Sequence, residues 1–330
     1  MTMTSRTRQL TTCTALLGAA MLGLSGCGLQ SATGYTPDFG PGSIQEVDGA
    51  DGTTVRVASK NFTEQLILGK ILVLAVDAAG FDAQDMTNVP GSQPMRKMMV
   101  AHDADLTIEY TGTAWLSYMG QEEGIADSQE QWQVVADADK ENGLIWGPPA
   151  PFNNTYAFAV REDYAQEHNL TKMSDLQNLP VEDRTFCVEA EFNSRADGMT
   201  PMLELYDLPR GSGVPDSNIG IYDTGAIYAA TAEGSCNFGE VFTTDGRILA
   251  LNLTVLEDDR GYFPAYNGAP VYNQALLDEY PDLEETLQPI MDKLDNETLQ
   301  ELNAQVDVEG RDPADVAFDW MVQEGFISEP

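Results

Sequence analysis

The sequence predicts an α/β protein of two lobes with a ligand cleft between them, and two observations lead to this fold class. Strand-like segments alternate with amphipathic helical segments from residue 53 onward, a pattern typical of helices packed on largely parallel sheets. That stretch is also longer than one such sheet usually requires, which indicates two lobes. In proteins of this class, ligands bind at the carboxyl ends of strands and in clefts between lobes.

The first predicted elements are a strand followed by a helix. An apolar run over residues 54–58 predicts a buried strand. Apolar residues then recur at helical spacing from Ile67 to Ala78, and Gly80 ends that helix. Ser59 or Asn61 is the candidate N-terminal cap. The first half continues with a predicted strand over 106–108 and helices over 93–102, 112–119 and 128–142.

The second half continues the alternation in shorter segments. It begins after a Pro-rich stretch at residues 147–151. Strands are predicted over 155–160, 185–188, 218–222, 238–242, 248–256 and 266–272. Helices are predicted over 162–168, 173–178, 196–206 and 225–233, and they dominate residues 274–325.

The N-terminal segment has the features of an export signal. Two arginines precede an apolar stretch over residues 12–24, which is too short to span a membrane. This stretch ends in Leu24-Ser25-Gly26-Cys27, which resembles the lipobox of bacterial lipoproteins, whose cysteine is acylated and becomes the new N-terminus. The resemblance implies a signal peptide over 1–26 and a lipid on Cys27. A plain secretory peptide that is cleaved nearby is the alternative.

The residues after the lipobox predict a flexible linker. Gly, Ser, Thr, Pro and Asp dominate residues 27–52, where no helical or alternating apolar pattern occurs. We therefore expect the mature protein at the extracytoplasmic face of the cell membrane, attached through the lipid on Cys27.

The chain is strongly acidic, and this excludes two classes of partner. It has 17 Lys and Arg against 53 Asp and Glu, which gives a formal net charge of −36. Nucleic acids and anionic lipid surfaces are recognised by cationic side chains, so neither is expected as a working partner. The excess of acid favours a role in solubility or salt tolerance over a role in binding a cation.

Two cysteines follow the N-terminal segment, Cys187 and Cys236. An even pair in an oxidising compartment is typical of a disulfide. Two separate buried thiols, packed as small apolar side chains, are equally compatible with the sequence.

The sequence does not contain the common motifs of catalysis or metal binding. His102 and His168 are far apart and have polar neighbours, which predicts exposed positions. Zinc-ligand spacing, a P-loop and a Gly-x-Ser-x-Gly motif do not occur, so a secreted hydrolase has no nucleophile and base to work with. Asp103, Asp105 and Glu109 lack the spacing of an EF-hand, which favours a solvated turn. No metal, no cofactor and no enzymatic activity are expected.

Four aromatic residues lie at predicted junctions between strands and loops: Tyr110, Tyr156, Phe242 and Tyr266. Each could belong to the hydrophobic core. If they converge on one cleft, they form an aromatic box, which binds quaternary ammonium groups because the faces of aromatic rings carry negative potential.

Five short segments occur together and in order along the chain. They are Ser59-Lys60-Asn61-Phe62-Thr63-Glu64-Gln65, Glu109-Tyr110-Thr111-Gly112-Thr113, Asn153-Asn154-Thr155-Tyr156, Thr244-Asp245-Gly246-Arg247 and Val306-Asp307-Val308-Glu309-Gly310. Over residues 53–328 the chain is similar to the substrate-binding subunits of osmoprotectant ABC importers, the glycine betaine/carnitine/choline-binding proteins.

This resemblance implies a type II periplasmic-binding-protein fold. The chain would cross between the lobes near residues 149–155 and 242–246. The first lobe would then comprise 53–150 and 246–330, and the second lobe 151–245. A monomer is implied that captures a quaternary amine and delivers it to the transmembrane subunits of the importer. A binding protein for another methylated amine such as ergothioneine, or a sensor lipoprotein of the same fold, is the alternative.

The resemblance also implies the ligand-binding residues. The cage would consist of Tyr110, Tyr156, Phe242 and Tyr266, and its polar partners would be Lys60, Gln65, Thr113, Asn154 and Arg195.

Three segments depart from the usual pattern of the family. Phe242 replaces a tyrosine, so that a π face is kept and a hydroxyl is lost. Asp197-Gly198-Met199-Thr200 and Asn267-Gly268-Ala269-Pro270 stand where Asp-Gly-Tyr-Pro and Tyr-Ala-Ala-Pro are more usual.

Overall fold

A computed structural model describes residues 35–125, 127–194 and 198–330. Within these residues ten β-strands form two five-stranded sheets. The strands are β1 (Thr54–Lys60), β2 (Asp82–Val89), β3 (Leu106–Tyr110), β4 (Leu144–Trp146), β5 (Tyr156–Arg161), β6 (Phe186–Val188), β7 (Ile219–Ile221), β8 (Phe238–Phe242), β9 (Leu253–Val255) and β10 (Gly268–Asn273).

Helices connect and cover the strands. They are α1 (Thr63–Ala78), α2 (Ser92–Val100), α3 (Thr111–Thr113), α4 (Ser128–Asp139), α5 (Glu162–His168), α6 (Ala190–Ser194), α7 (Met199–Leu205), α8 (Thr224–Ala232), α9 (Arg247–Ala250), α10 (Gln274–Glu279), α11 (Asp282–Met291), α12 (Asn296–Asp307) and α13 (Pro313–Gln323). A π-helical turn covers Ala114–Tyr118, and short 3₁₀ turns cover Lys140–Asn142, Met173–Asn178, Val181–Asp183 and Asp216–Asn218.

The two sheets have the same topology. The first has the order β2-β1-β3-β10-β4, and the second has the order β7-β6-β8-β5-β9. In each sheet three neighbouring strands are parallel, and a fourth strand, β10 or β5, runs antiparallel to both of its neighbours. The predicted α/β class with two sheets is confirmed.

Each sheet has its own hydrophobic core. The first surrounds α1, which is buried along most of its length because its apolar residues are not confined to one stripe. The second contains an aromatic cluster in which the ring of Phe186 lies 5.4 Å from the rings of both Phe158 and Phe238. Burying one such side chain stabilises the fold by roughly 1.5–3 kcal/mol.

Several elements differ from the predictions. β2 was not predicted, because an edge strand that is buried at only a few positions has the polar composition of a loop. β4, which contains three residues, was also not predicted. Residues 248–256 do not form one strand, since α9 occupies their first part. Neither predicted cap is used at α1: the helix begins after Phe62, and β1 extends through Ser59 to Lys60.

The described part of the predicted linker is packed against the chain. Gly40 pairs with Ser328 as an isolated bridge, the Ser43 amide donates to the Gly325 carbonyl at 2.9 Å, and the amide of Val47 donates to the carbonyl of Ala79 at 2.9 Å. This segment has the composition of a linker but packs against the chain, because its backbone amides donate to carbonyls that have no partner within the helix at the C-terminal ends of α13 and α1. The signal peptide over 1–26 and Cys27 lie outside the described residues.

The strand pairing bears on where the chain crosses between the sheets. β9 hydrogen bonds with β5 of the second sheet, although the predicted first lobe takes up residues 246–330. The return to the first sheet therefore follows Val255. The segment before β5 and the segment before β10 meet as an antiparallel bridge between Asn153 and Asn267. The lobe boundaries themselves stay a prediction.

Cys187 in β6 and Cys236 before β8 form a disulfide, with Cα atoms 5.8 Å apart. Of the two alternatives left open by the sequence, the structure thus has the bridged one. The bridge closes a loop of 49 residues that contains β7 and α8.

Removal of this disulfide is expected to destabilise the protein. Replacing both cysteines by alanine should lower the free energy of unfolding by roughly 2–4 kcal/mol, since the unfolded chain regains the freedom of the closed loop. Urea unfolding of the oxidised wild type and the double variant measures the difference. The reduced wild type serves as the control, and equal stability of the oxidised and reduced forms would contradict a structural role for the bridge.

Candidate functional site

A cleft of about 720 Å³ opens where strand ends of both sheets face each other. Lys60 and Tyr110 end β1 and β3 of the first sheet. Tyr156 begins β5 and Phe242 ends β8 of the second sheet. Further lining comes from the first turn of α1, the start of α2, the turn after β3, the segments before β5 and β10, the segment after β8 and the last turns of α12.

Tyr156 is the centre of an aromatic cluster on the second sheet. Its ring centroid lies 5.1 Å from that of Phe242, and 6.4 Å from that of Tyr266 at an interplanar angle of 85°. Phe192 and Phe263 lie behind it at 5.6 and 6.2 Å. Tyr156 is therefore in ring contact with two of the other three predicted cage residues, and the cluster behind it holds its ring in place.

Strand register explains why these side chains meet. Tyr156 and Phe242 are direct partners in the antiparallel pair of β5 and β8, which places them at the same edge of the second sheet. In the first sheet, Tyr110 at the end of β3 is in the same way the partner of Gly268 at the start of β10. Gly268 follows Tyr266 by two residues, so Tyr266 lies close to the end of β3. Antiparallel pairing thus brings the start of one strand beside the end of another at each cleft edge.

Tyr110 forms a second aromatic wall, on the first sheet. It is only 3% exposed, and its ring stacks with that of Phe62 at 6.1 Å. Gly112 keeps this wall close to Tyr266, since a Cβ at this glycine would lie 2.6 Å from the Tyr266 ring. This contact gives a physical reason for the glycine in the Tyr-Thr-Gly-Thr segment.

Lys60 and Glu109 form a buried ion pair under this wall. The Lys60 Nζ lies 2.6 Å from Glu109 Oε1, with side-chain exposures of 4% and 5%. The same Nζ lies 4.6 Å from the centroid of the Tyr110 ring. Tyr118 donates its hydroxyl to Glu109 Oε2 at 2.6 Å, and burial together with this carboxylate raises the pKa of Tyr118. The solvated turn expected for Glu109 is therefore wrong, because the side chain is buried and bonded.

The remaining predicted polar residues fall into three groups. Thr113 and Asn154 line the cleft. Gln65 is buried behind it: its Oε1 accepts from the Lys60 amide at 3.1 Å, and its Nε2 donates to the Ile108 carbonyl at 3.0 Å, so it joins β1 to β3. Arg195 lies outside the described residues.

Sequence reasoning did not assign a role to several lining residues. Phe62 and Glu64 belong to the Ser59–Gln65 segment, so the signal was present but not used. Asp245 and Arg247 belong to another of the five segments and pair with each other, the Arg247 Nε lying 2.8 Å from Asp245 Oδ1. No local pattern marked Asn303 in α12, which reaches the cleft only through the fold.

Glu64 is a buried ionisable group of the cleft, only 3% exposed. Its Oε1 accepts from the hydroxyl of Tyr110 at 2.6 Å and from Nδ2 of Asn154 at 2.9 Å, and its Oε2 accepts from Nδ2 of Asn303 at 3.2 Å. Burial raises the pKa of Glu64, and these hydrogen bonds together with one from Thr244 oppose the rise. The same burial, with Glu64 beside it, raises the pKa of Tyr110.

Of the three departures noted in the sequence, one reaches the cleft. Phe242 lines it directly. Met199 is fully buried in the core of the second sheet. Asn267 donates its Nδ2 to the Phe152 carbonyl at 2.9 Å, and so it joins the segment before β10 to the segment before β5. A change of ligand preference is thus expected from Phe242 rather than from the other two.

Comparison with known proteins gives a consistent result. A family model described as the substrate binding domain of ABC-type glycine betaine transport system matches residues 53–323. The chain is 34% identical over 288 residues to the glycine-betaine-binding protein of Pseudomonas aeruginosa, which covers 85% of this chain and 91% of that protein. It is 30% identical over 270 residues to the ergothioneine transport permease/ergothioneine binding protein EgtU of Helicobacter pylori, over 82% of this chain and 47% of that protein.

A solved structure shows the same fold. Apo YehZ from Escherichia coli matches with a TM-score of 0.73 and 32% sequence identity, over 83% of this chain and 100% of that chain. The predicted periplasmic-binding-protein fold is confirmed.

Proposed function

Because this chain belongs to the family of substrate-binding domains of ABC-type glycine betaine transport systems, we propose that it captures a quaternary ammonium compound in the cleft and delivers it to the membrane subunits of an importer. Glycine betaine, choline, carnitine and similar compounds form the ligand class. The relatives are solute-binding proteins, and capture and delivery require no bond to be made or broken.

One observation supports this function above the others: aromatic rings from both sheets line one cleft. Tyr156 and Phe242 come from the second sheet, and Tyr110 comes from the first. A trimethylammonium group cannot donate conventional hydrogen bonds, so ring faces are its natural partners. A ligand that contacts both walls binds the closed arrangement of the sheets more tightly than the open one. It therefore shifts the equilibrium towards closure by this difference in affinity.

The polar residues suit the other end of such a ligand. We propose Lys60 as the partner for a carboxylate, with Arg195 as a further candidate, and Thr113 and Asn154 as further polar partners of the ligand. Lys60 already has Glu109 as its partner, so a ligand carboxylate would share this cation rather than meet it free. Gln65 takes part indirectly, by fixing the strand end that carries Lys60.

The proposed location is the extracytoplasmic face of the cell membrane. Import by an ABC transporter requires capture on that side, and the lipobox-like segment supports attachment through a lipid on Cys27. In the described residues no helix has the length and hydrophobicity needed to cross a bilayer. We propose a monomer that is attached to the membrane through the N-terminal lipid and presents both lobes to the transmembrane subunits of the importer.

Ergothioneine is the second candidate ligand, and the relative in Helicobacter pylori favours it. Ergothioneine carries a trimethylammonium group and a carboxylate, so the same cage could hold it. Phe242, in place of a tyrosine, makes the wall on the second sheet less polar, which favours the larger ligand.

The function is tested by a thermal-shift screen of the purified protein. Glycine betaine, choline, carnitine and ergothioneine are each added at millimolar concentration, and calorimetry gives the affinity of any that stabilise. We expect at least one to raise the melting temperature, because a ligand that binds only the folded state stabilises it. Stabilisation by neutral sugars alone would refute the assignment.

A further inference from the structure

Glu64 is a buried carboxylate at the floor of the cleft, and four parts of the fold donate hydrogen bonds to it. The donors are Tyr110 at the end of β3, Asn154 before β5, Thr244 after β8 and Asn303 in α12. All four are neutral. When Glu64 is ionised, its charge is therefore stabilised by dipoles but not cancelled by any of these described partners.

The other charged groups around the cleft are already satisfied. Lys60 pairs with Glu109 at 2.6 Å, and Arg247 pairs with Asp245. Asp307, at the end of α12, is exposed and accepts from the hydroxyl of Thr63 at 2.6 Å. The Lys60–Glu109 and Arg247–Asp245 pairs are each close to neutral. Among the described residues that line the cleft, Glu64 is then the buried carboxylate without a cationic partner.

The hydrogen bonds also fix two amides. An ionised carboxylate only accepts, so Asn154 and Asn303 must point Nδ2 towards it and Oδ1 away. Both Oδ1 atoms are buried and have no hydrogen-bond partner within the described ranges. Glu64 thus surrounds itself with further negative potential, and both asparagines line the cleft.

We propose that Glu64 is the anionic specificity determinant of this cleft: its carboxylate orients Tyr110, Asn154 and Asn303 and supplies the negative charge that the ligand's ammonium group neutralises. This inference rests on the proposed function. It names the group that makes the cleft bind a cation more tightly than a neutral molecule of the same shape. Tyr110 donates its hydroxyl to this carboxylate, and the ammonium group of Lys60 already lies 4.6 Å from the centre of its ring, so the negative charge comes from Glu64 itself.

A linkage to protons follows from the same geometry. The raised pKa of Glu64 means that the ligand-free protein holds a proton on it to a higher pH than an exposed glutamate does. A bound cation favours the ionised form, so binding releases that proton when the pH lies near or below this pKa. The affinity for a cation therefore falls as the pH is lowered, by up to about tenfold per pH unit.

The test compares choline with its neutral isostere 3,3-dimethylbutan-1-ol, in which a carbon replaces the nitrogen. Wild type, Glu64→Gln and Glu162→Gln are titrated between pH 5 and 8, each in two buffers of different ionisation enthalpy. Glu162 is the matched control, because it is also a glutamate in the first turn of a helix but is exposed and remote from the cleft.

We expect Glu64→Gln to lower the preference for choline over the isostere by roughly tenfold or more while isostere binding is kept. Proton release on choline binding should be seen in wild type and Glu162→Gln and be lost in Glu64→Gln. An unchanged preference in Glu64→Gln, or a wild type that binds the isostere as tightly as choline, overturns the inference. The wild-type titration requires no variant to fold, and failure of every quaternary amine to bind wild type would overturn the proposed function instead.

Discussion

Replacing Tyr156 by alanine is expected to weaken the binding of a quaternary ammonium ligand by about 2 kcal/mol or more, which is roughly 30-fold. The ring is shared between the cleft and the cluster behind it, and it contacts both Phe242 and Tyr266. Its loss removes one wall of the cage and loosens the two neighbouring rings. Isothermal titration calorimetry with the tightest ligand of the screen gives the change directly.

Two matched variants separate the ring from other effects. Tyr156→Phe keeps the π face and should retain most of the affinity. Tyr164→Ala removes a partly buried tyrosine that packs on His168 at 4.2 Å, away from the cleft, and should leave the affinity unchanged. If Tyr156→Ala binds as tightly as Tyr164→Ala, the aromatic cage is not where the ligand is held.

The candidate cage could be predicted because its residues lie in short segments with local character. Tyr110 and Tyr156 each sit in a string that is informative by itself, and strand ends are where ligands bind in α/β folds. That Tyr156 faces Phe242 follows from antiparallel register, which alternation of apolar residues does not reveal. The sequence therefore indicated that these residues lie together at strand ends but not how they pair, and their role as a cage stays a prediction.

Residues whose role depends on distant contacts could not be predicted. Asn303 approaches Glu64 across 239 positions of sequence, and nothing in α12 distinguishes it from an exposed polar residue. Lys60 and Glu109 are separated by 49 positions and form their pair only because β1 and β3 are adjacent and parallel. The segment around Gly40 packs because Gly40 pairs with Ser328, almost 300 residues later in the chain. The local composition of the segment does not indicate this contact.

These long-range contacts also explain how a protein with a large acidic excess can select a cation. The surface carboxylates are screened by salt within about 8–10 Å and act on every cation alike. The buried groups of the cleft are screened much less, and two of its carboxylates, Glu109 and Asp245, are occupied by Lys60 and Arg247. Selection is therefore assigned to ring faces and to Glu64 rather than to net charge.

Removing the charge of Glu109 is expected to have the largest effect on stability among single changes at the cleft. Glu109→Gln leaves the ammonium group of Lys60 buried without a carboxylate, and breaking a buried pair in this way costs roughly 3–5 kcal/mol of unfolding free energy. Denaturant unfolding measures the loss. The exposed pair of Lys140 and Asp137, 2.7 Å apart, is the control, and Asp137→Asn should change the stability far less because water and salt screen that pair.

The double variant Lys60→Met with Glu109→Gln decides what the pair is for. Replacing a buried ion pair by groups without charge is often close to neutral, so the double variant should recover much of the stability that Glu109→Gln loses. Its affinity for glycine betaine should fall below that of the wild type, since the proposed partner of the ligand carboxylate is gone, while tetramethylammonium should bind as it does to the wild type. Recovery of glycine betaine binding together with stability would show that Lys60 serves the fold and not the ligand.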